Sequence, residues 1–155
     1  MLVAVLAAAS AAGWGMRRRT GRFRVPGSGQ GTVLADSRPA SDVGGSVLTE
    51  ADLGAALGER ATLVQFSTEF CAYCGPTREL LAGVARSRDG VALVEIDAAR
   101  RMDLARRLNV FSTPTVIVLA ADGSIAQRAS GQPRQADVLA AVSSVLDGGT
   151  PLGRE

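Results

Sequence analysis

The fold is decided by the stretch "LVQFSTEFCAYCGPTREL" at residues 63–80, which contains both cysteines of the chain, Cys71 and Cys74. The residues before them, "ATLVQF" at 61–66, are rich in β-branched and aromatic side chains and are typical of a buried strand. Apolar residues after the cysteines recur with the spacing of a helix face. A Cys-x-x-Cys pair between a strand and a helix favours redox chemistry, because the positive end of the helix stabilises a thiolate on the first cysteine. The second cysteine then lies close enough to close a disulfide.

The same letters permit another interpretation. Tyr73-Cys74-Gly75-Pro76-Thr77 could be a single-thiol site in which Thr77 stands where a second cysteine would be. The two interpretations predict different chemistry, since a lone thiol has no neighbour to resolve a mixed disulfide.

Outward from this stretch, helical and strand-like patterns alternate along the chain. Thr49 and Asp52 predict a helix start, and Gly123 predicts a hairpin turn. The further strands are predicted at residues 91–96, 115–119 and 125–129, and the further helices contain Leu80, Leu81, Val84 and Ala85, then Met102 to Leu108, then Val138, Leu139, Val142, Val145 and Leu146. This α-β-α-β-α-β-β-α order predicts an α/β fold with a central mixed sheet of about four strands flanked by helices. We expect an antiparallel hairpin and parallel pairing of the helix-linked strands.

Composition excludes several classes of function. The chain has no histidine, which removes Cys–His and Ser–His catalysis and the commonest transition-metal ligand. All 17 basic residues are arginine, and five of them lie between residues 17 and 24. Removing these five from the net charge of +2 leaves −3, so the rest of the chain has no charge pattern for binding nucleic acid. Two cysteines are also too few for a disulfide-stapled secreted domain.

The N-terminal segment predicts a membrane anchor. Residues 2–16 carry no charged side chain and are followed directly by three arginines, so residues 1–19 are predicted to be an apolar anchor helix with a basic stop. Because the arginines follow the apolar run, we expect a single-pass protein with its domain on the cytoplasmic face. The alternatives are export, since Ala9-Ser10-Ala11 resembles a cleavage site, and an apolar segment outside any membrane.

Composition also sets the remaining boundaries. Residues 20–45 are rich in Gly, Ser, Pro and Arg and are predicted to be a flexible linker. The regular patterns occupy residues 46–148, predicted as one α/β domain, and residues 149–155 are predicted to be a disordered tail.

Three segments of the domain resemble the thioredoxin superfamily. "VQFSTEFC" (64–71) is similar to the family's strand and turn "VDFWAEWC", "VEID" (94–97) to its next strand end, and "LNVFSTPTVIVL" (108–119) to the segment with its cis-proline. In the family an aromatic residue lies five positions before the nucleophile and another directly before it. Phe66 and Phe70 fit Cys71 in this way, so the resemblance favours the two-cysteine site.

The resemblance implies a thiol-disulfide oxidoreductase of thioredoxin-like fold that needs no cofactor and no metal. It implies that Cys71 is the catalytic nucleophile and Cys74 the resolving cysteine. Thr113, Pro114 and Phe70 are implied to bind substrate, with a cis Thr113–Pro114 bond beside the thiols. The implied partners are protein disulfides or dithiols and an electron donor that the sequence does not identify. We expect the protein to be a monomer.

Two departures from the family concern proton transfer. Gln65 stands where thioredoxins bury an aspartate, and Leu93 where they have a lysine near it. The proton of Cys74 must then go to water or to a nearby carboxylate, of which Glu69 is the nearest in sequence, although a solvated bystander role is the simpler expectation for it.

Two other functions remain open from the sequence. Cys-x-x-Cys is also half of a zinc or copper site, but zinc would need a second chain to complete four ligands. A redox-inert scaffold that binds a partner is the other alternative, because fold does not fix function.

Overall fold

The computed structural model describes residues 47–148. The predicted anchor at 1–19, the linker at 20–45 and the tail at 149–155 lie outside the described residues. Across residues 47–148, no helix combines the length and apolar character needed to cross a membrane.

Helices and strands follow the predicted order. The helices are α1 (Glu50–Leu53), α2 (Cys74–Arg86), α3 (Met102–Arg107) and α4 (Gln135–Leu146), and the strands are β1 (Ala61–Ser67), β2 (Val91–Asp97), β3 (Thr115–Ala120) and β4 (Ile125–Ser130). Each strand begins at the predicted residue and ends one residue later than predicted. The predicted turn before β4 is present, with Gly123 at a φ of 80° that disfavours a side chain.

The four strands form one mixed sheet in the order β2-β1-β3-β4. β1 pairs parallel with β2, as predicted, and β3 pairs antiparallel with both β1 and β4. The expectation that all helix-linked strands are parallel is therefore wrong for β3. Ser67 is opposite Asp97, where β2 ends, and Phe66 is opposite Thr115, where β3 begins. The connection through α3 starts and ends at the same end of the strands, beside Ser67 and Phe66. β3 therefore runs antiparallel to β1 and β2.

The sheet separates two apolar cores. Val64 and Phe66 of β1 pack on one face, in a cluster with Leu53 before the C-cap of α1 and Leu104 of α3. Leu63 packs on the other face, in the cluster formed by α2 and α4. Side chains of a strand alternate between faces, so Gln65 lies on the α2 face together with Leu63.

The first helix begins as predicted. The Thr49 side chain accepts from the Asp52 backbone N–H, and the Asp52 carboxylate accepts from the Thr49 backbone N–H at 2.9 Å. Asp52 also pairs with Arg107 of α3, which joins the two helices of that face. These interactions lower the pKa of Asp52 to about 2, the largest cause being the hydrogen bond from the Thr49 backbone.

Candidate active site

The two cysteines lie in the turn that joins β1 to α2. The Cys71 N–H donates to the Thr68 carbonyl at 3.2 Å, and the Cys74 N–H donates to the Cys71 carbonyl at 3.1 Å. These bonds fold the chain so that Cys71 and Cys74 form a disulfide, with 2.10 Å between the sulfurs and 5.4 Å between the Cα atoms. The structure thus brings the two predicted catalytic residues together, and their catalytic roles stay predictions.

Helix α2 begins at Cys74, and Cys71 lies in the turn before it. The reason is the three-residue turn bond between the Cys74 N–H and the Cys71 carbonyl, after which the four-residue helical pattern starts with the Thr77 N–H donating to Tyr73. Gly75 and Pro76 then belong to the first helical turn, where a proline costs no hydrogen bond. The first turn of α2 carries no acidic residue, which suits an anionic sulfur near this end.

The two cysteines differ in exposure. Cys71 is half-buried, whereas Cys74 is only 5% exposed. A substrate sulfur can therefore approach Cys71 more easily than Cys74. This difference is the one that a nucleophile and a resolving thiol need.

The predicted cis bond between Thr113 and Pro114 is present, which confirms that part of the resemblance. The Thr68 and Thr113 hydroxyls are 3.2 Å apart, so the loop before β3 is fixed to the turn that leads to Cys71. The Pro114 carbonyl accepts from the Gly131 N–H at 2.8 Å. Pro114 is buried and Thr113 half-buried, so Thr113 is the accessible residue of the pair and Pro114 holds it in place beside the turn.

The same loop is held from its other end by Arg128 of β4. The Arg128 guanidinium donates to the carbonyls of Leu108 and Asn109, just after α3. Burial lowers the pKa of Arg128 from its ordinary value, and the carbonyl partners satisfy the buried donors. This contact was not predictable from the sequence, because it depends on how β4 is placed beside the end of α3.

Exposed aromatic side chains occur on both loops of the site. Phe70, predicted to bind substrate, is 94% exposed, and Phe111 in the loop before Thr113 is 89% exposed. Tyr73, between the cysteines, is 60% exposed. Phe111 had no predicted role, although an aromatic residue three positions before the predicted cis-proline could have indicated one. Large exposed apolar side chains often mark a contact surface.

A polar pocket of about 440 Å³ opens beside the disulfide. It is lined by Ser67, Thr68, Glu69, Cys71, Cys74, Gly75, Arg78, Glu95, Asp97 and Arg100. Two ion pairs cross its wall, Arg78 with Glu95 at 3.1 Å and Arg100 with Asp97 at 3.5 Å. Glu69 thus lies beside the cysteines, as its position in the sequence indicated. The carboxylates of Glu95 and Asp97, which were not predicted there, line the same pocket. Over residues 47–148, no three His, Cys, Asp or Glu side chains are grouped to hold a metal ion.

The two departures from the family have separate places. Gln65 is fully buried, and its Nε2 donates to the Cys74 carbonyl at 2.8 Å, so it touches the start of α2 directly. Leu93 lies opposite Leu63 in the parallel pair and packs against the apolar cluster on the α2 face. Leu93 is therefore a packing residue, and Gln65 is a buried polar group that contacts Cys74.

Comparisons with known proteins agree with this geometry. The Thioredoxin family model matches residues 46–144. A mutant thioredoxin from Halobacterium salinarum is 20% identical with a TM-score of 0.53, covering 57% of this chain and 76% of its own. Chloroplastic thioredoxin z is 25% identical with a TM-score of 0.52, covering 58% and 81%. Fasciola hepatica thioredoxin is 19% identical with a TM-score of 0.51, covering 57% and 83%. The comparison with curated proteins finds no match.

Proposed function

Because the chain belongs to the thioredoxin family, we propose that it is a thiol-disulfide oxidoreductase that reduces or exchanges disulfides in protein substrates. The observation that carries this proposal is the Cys71–Cys74 disulfide at the start of α2, in which Cys71 is the more exposed residue and Cys74 is buried. A zinc site would need four ligands, and this pair supplies two.

The proposed reaction begins with the reduced protein. The Cys71 thiolate attacks one sulfur of a substrate disulfide, forms a mixed disulfide and releases the other substrate sulfur as a thiolate, which takes up a proton. Cys74 then loses its proton, attacks the Cys71 sulfur and releases the second substrate thiolate, which is also protonated. The Cys71–Cys74 disulfide that results is reduced again by two electrons and two protons from a dithiol donor.

Substrate binding is proposed for the loop surface beside Cys71. Phe70 offers an exposed apolar contact next to the nucleophile, and Thr113 and Pro114 offer a backbone segment fixed to Thr68. Phe111 extends the aromatic surface on the same loop as Thr113. These features favour an extended, partly apolar peptide around the substrate disulfide over a small polar molecule.

Turnover of a protein disulfide, with dithiothreitol as donor, tests the function. The wild-type chain should accelerate reduction well above the dithiothreitol background, and both Cys71→Ser and Cys74→Ser should lose turnover. The two serine variants are matched controls, since they make the same change three residues apart. A wild-type rate equal to background would contradict the proposal.

We also propose that residues 1–19 anchor the domain at the cytoplasmic face of a membrane. The apolar run before Arg17, Arg18 and Arg19 supports this orientation by the positive-inside rule. Protease added to sealed right-side-out vesicles should leave the domain intact, and protease added to inverted vesicles should digest it. Digestion from the outer face alone would support export instead.

A further inference from the structure

We propose that the Gln65 Oε1 accepts a hydrogen bond from the Cys74 thiol when the disulfide is reduced, and so holds Cys74 in its protonated form. Gln65 is then a positioning residue that acts through Cys74. The kinetic consequence, slow resolution of the mixed disulfide, rests on the proposed function, whereas the hydrogen bond itself does not.

The orientation of the Gln65 amide follows from its partner. The Cys74 carbonyl can only accept, so the amide must present its Nε2 to that carbonyl, at 2.8 Å. The Oε1 atom consequently points elsewhere. Gln65 is fully inaccessible to solvent, and within the described part of the chain its Oε1 atom has no hydrogen-bond partner. A buried acceptor without a donor is costly and rare.

Reduction supplies the missing donor. Cys74 is the first residue of α2, which packs on the same face of β1 as Gln65, and its carbonyl is the partner of the Gln65 amide. Its buried side chain is therefore close to that amide, and reduction gives it an S–H. Thr77, a buried hydroxyl on the first turns of α2 in this layer, is already used, since it donates to the Tyr73 carbonyl at 2.7 Å. The S–H of Cys74 is the new donor that reduction creates there.

The bond favours one redox state over the other. In the disulfide state Oε1 has no protein donor, and in the dithiol state it has one, so the amide stabilises the dithiol. We expect one such bond to shift the redox equilibrium by about three- to tenfold. This is a change of roughly 15 to 30 mV toward a more oxidising couple, at 29.6 mV for each tenfold change.

The bond also opposes loss of the Cys74 proton, because it stabilises the neutral thiol and a neutral amide cannot take the proton. The charged groups that line the adjacent pocket are Glu69, Glu95, Asp97, Arg78 and Arg100. Glu95 is opposite Gln65 in the parallel pair, but its carboxylate is paired with Arg78. Asp97 accepts from the Ala99 N–H and pairs with Arg100. The proton must therefore leave a thiol held by an amide, beside a pocket in which two of the three carboxylates, those of Glu95 and Asp97, are paired with arginines.

Infrared spectroscopy of the S–H stretch tests the hydrogen bond without any enzymatic assay. The full chain with Cys71→Ser keeps Cys74 as its sole thiol. We expect its S–H band at lower frequency than in the Cys71→Ser, Gln65→Leu double variant. The control pair is Cys71→Ser with Leu63→Ala, which removes a buried side chain from the same strand face but no acceptor. This control should keep the lower band, and equal bands in the Gln65 variant and its parent would overturn the proposal.

A second measurement needs no substitution at Gln65. The ¹³Cδ resonance of Gln65 in the wild-type chain should move when the disulfide is reduced, while those of Gln132 and Gln135, which are exposed, should not. An unmoved Gln65 resonance would overturn the proposal even if Gln65→Leu fails to fold. A shifted band and resonance in a chain without turnover would contradict the oxidoreductase function and leave the hydrogen bond supported.

Discussion

The two faces of strand β1 differ in polarity near the disulfide. On the face toward α1 and α3, Val64 and Phe66 are both fully buried and apolar. On the face toward α2, Leu63 is followed by Gln65 and then by Ser67 at the strand end. The polar residues on this second face approach the cysteines, where Gln65 touches Cys74 and Ser67 lines the pocket. One face is built for stability, and the other gives up apolar contact where the chemistry is proposed.

The largest expected effect lies at the disulfide end of the polar face. Cys71→Ser should lower turnover by at least about 10³-fold, because the covalent step is lost. Cys74→Ser should instead accumulate a mixed disulfide on Cys71, because attack still occurs and only resolution is lost. Mass spectrometry of trapped adducts separates the two outcomes. Adducts forming on Cys74 in the Cys71→Ser chain would reverse the assignment and favour the single-thiol site.

On the apolar face the next largest effect should appear in stability alone. Phe66→Ala should lower the free energy of unfolding by about 3–5 kcal/mol, since it leaves a cavity in a fully buried site. Phe111→Ala is the matched control, because that side chain is 89% exposed and its loss should change stability by about 0.5 kcal/mol or less. Urea unfolding of both variants measures the difference. A Phe66 variant as stable as the Phe111 variant would contradict the division of roles between the faces.

The sequence predicted the apolar parts of both faces well, for a physical reason. Strand starts at residues 61, 91, 115 and 125 follow from local runs of β-branched and apolar side chains, and the Thr49–Asp52 cap is a contact between residues three apart. The direction of β3 did not follow, because a buried strand has the same pattern whether its neighbour is parallel or antiparallel.

The site was predictable only where it is contiguous in sequence. Cys71 and Cys74 lie in one motif, and the cis Thr113–Pro114 bond came from resemblance rather than from the residues themselves. The charged pocket was missed because its arginines and carboxylates come from α2, from β2 and from the residues after β2, and meet only through the strand register. The resemblance implied that Gln65 lies near Cys74, but the hydrogen bond to the Cys74 carbonyl did not follow from the residues, since which face of β1 carries α2 is a property of the whole fold.

A smaller effect is expected at Asp52, which joins α1 to α3 on the apolar side. Its pKa is lowered from 3.8 to about 2, so the ionised form stabilises the folded chain above pH 3.8, and this contribution is lost as the pH falls toward 2. We expect Asp52→Asn to lower the free energy of unfolding by about 1 kcal/mol at pH 7. The value is small because the partner Arg107 is exposed and solvent screens the ion pair. Urea unfolding at pH 7 and at pH 2 should show a difference from wild type that shrinks in acid. A difference that stays constant with pH would contradict the assigned cause.

A kinetic effect of similar size is expected at Gln65 itself. Gln65→Asp should speed resolution by Cys74 by about three- to tenfold, because a carboxylate in this buried layer can take the proton that the amide cannot. Burial raises the pKa of such an aspartate toward neutrality, and the carboxylate acts as a base only when deprotonated, so the acceleration should grow as the pH rises through that pKa. Gln65→Asn is the matched control, since it has the same length as aspartate and no charge. Decay of a preformed mixed disulfide, followed by rapid quench between pH 6 and pH 9, measures the rate. If the asparagine variant accelerates as much as the aspartate variant, the effect belongs to the shortened side chain, and the polar residue of this face does not control the Cys74 proton.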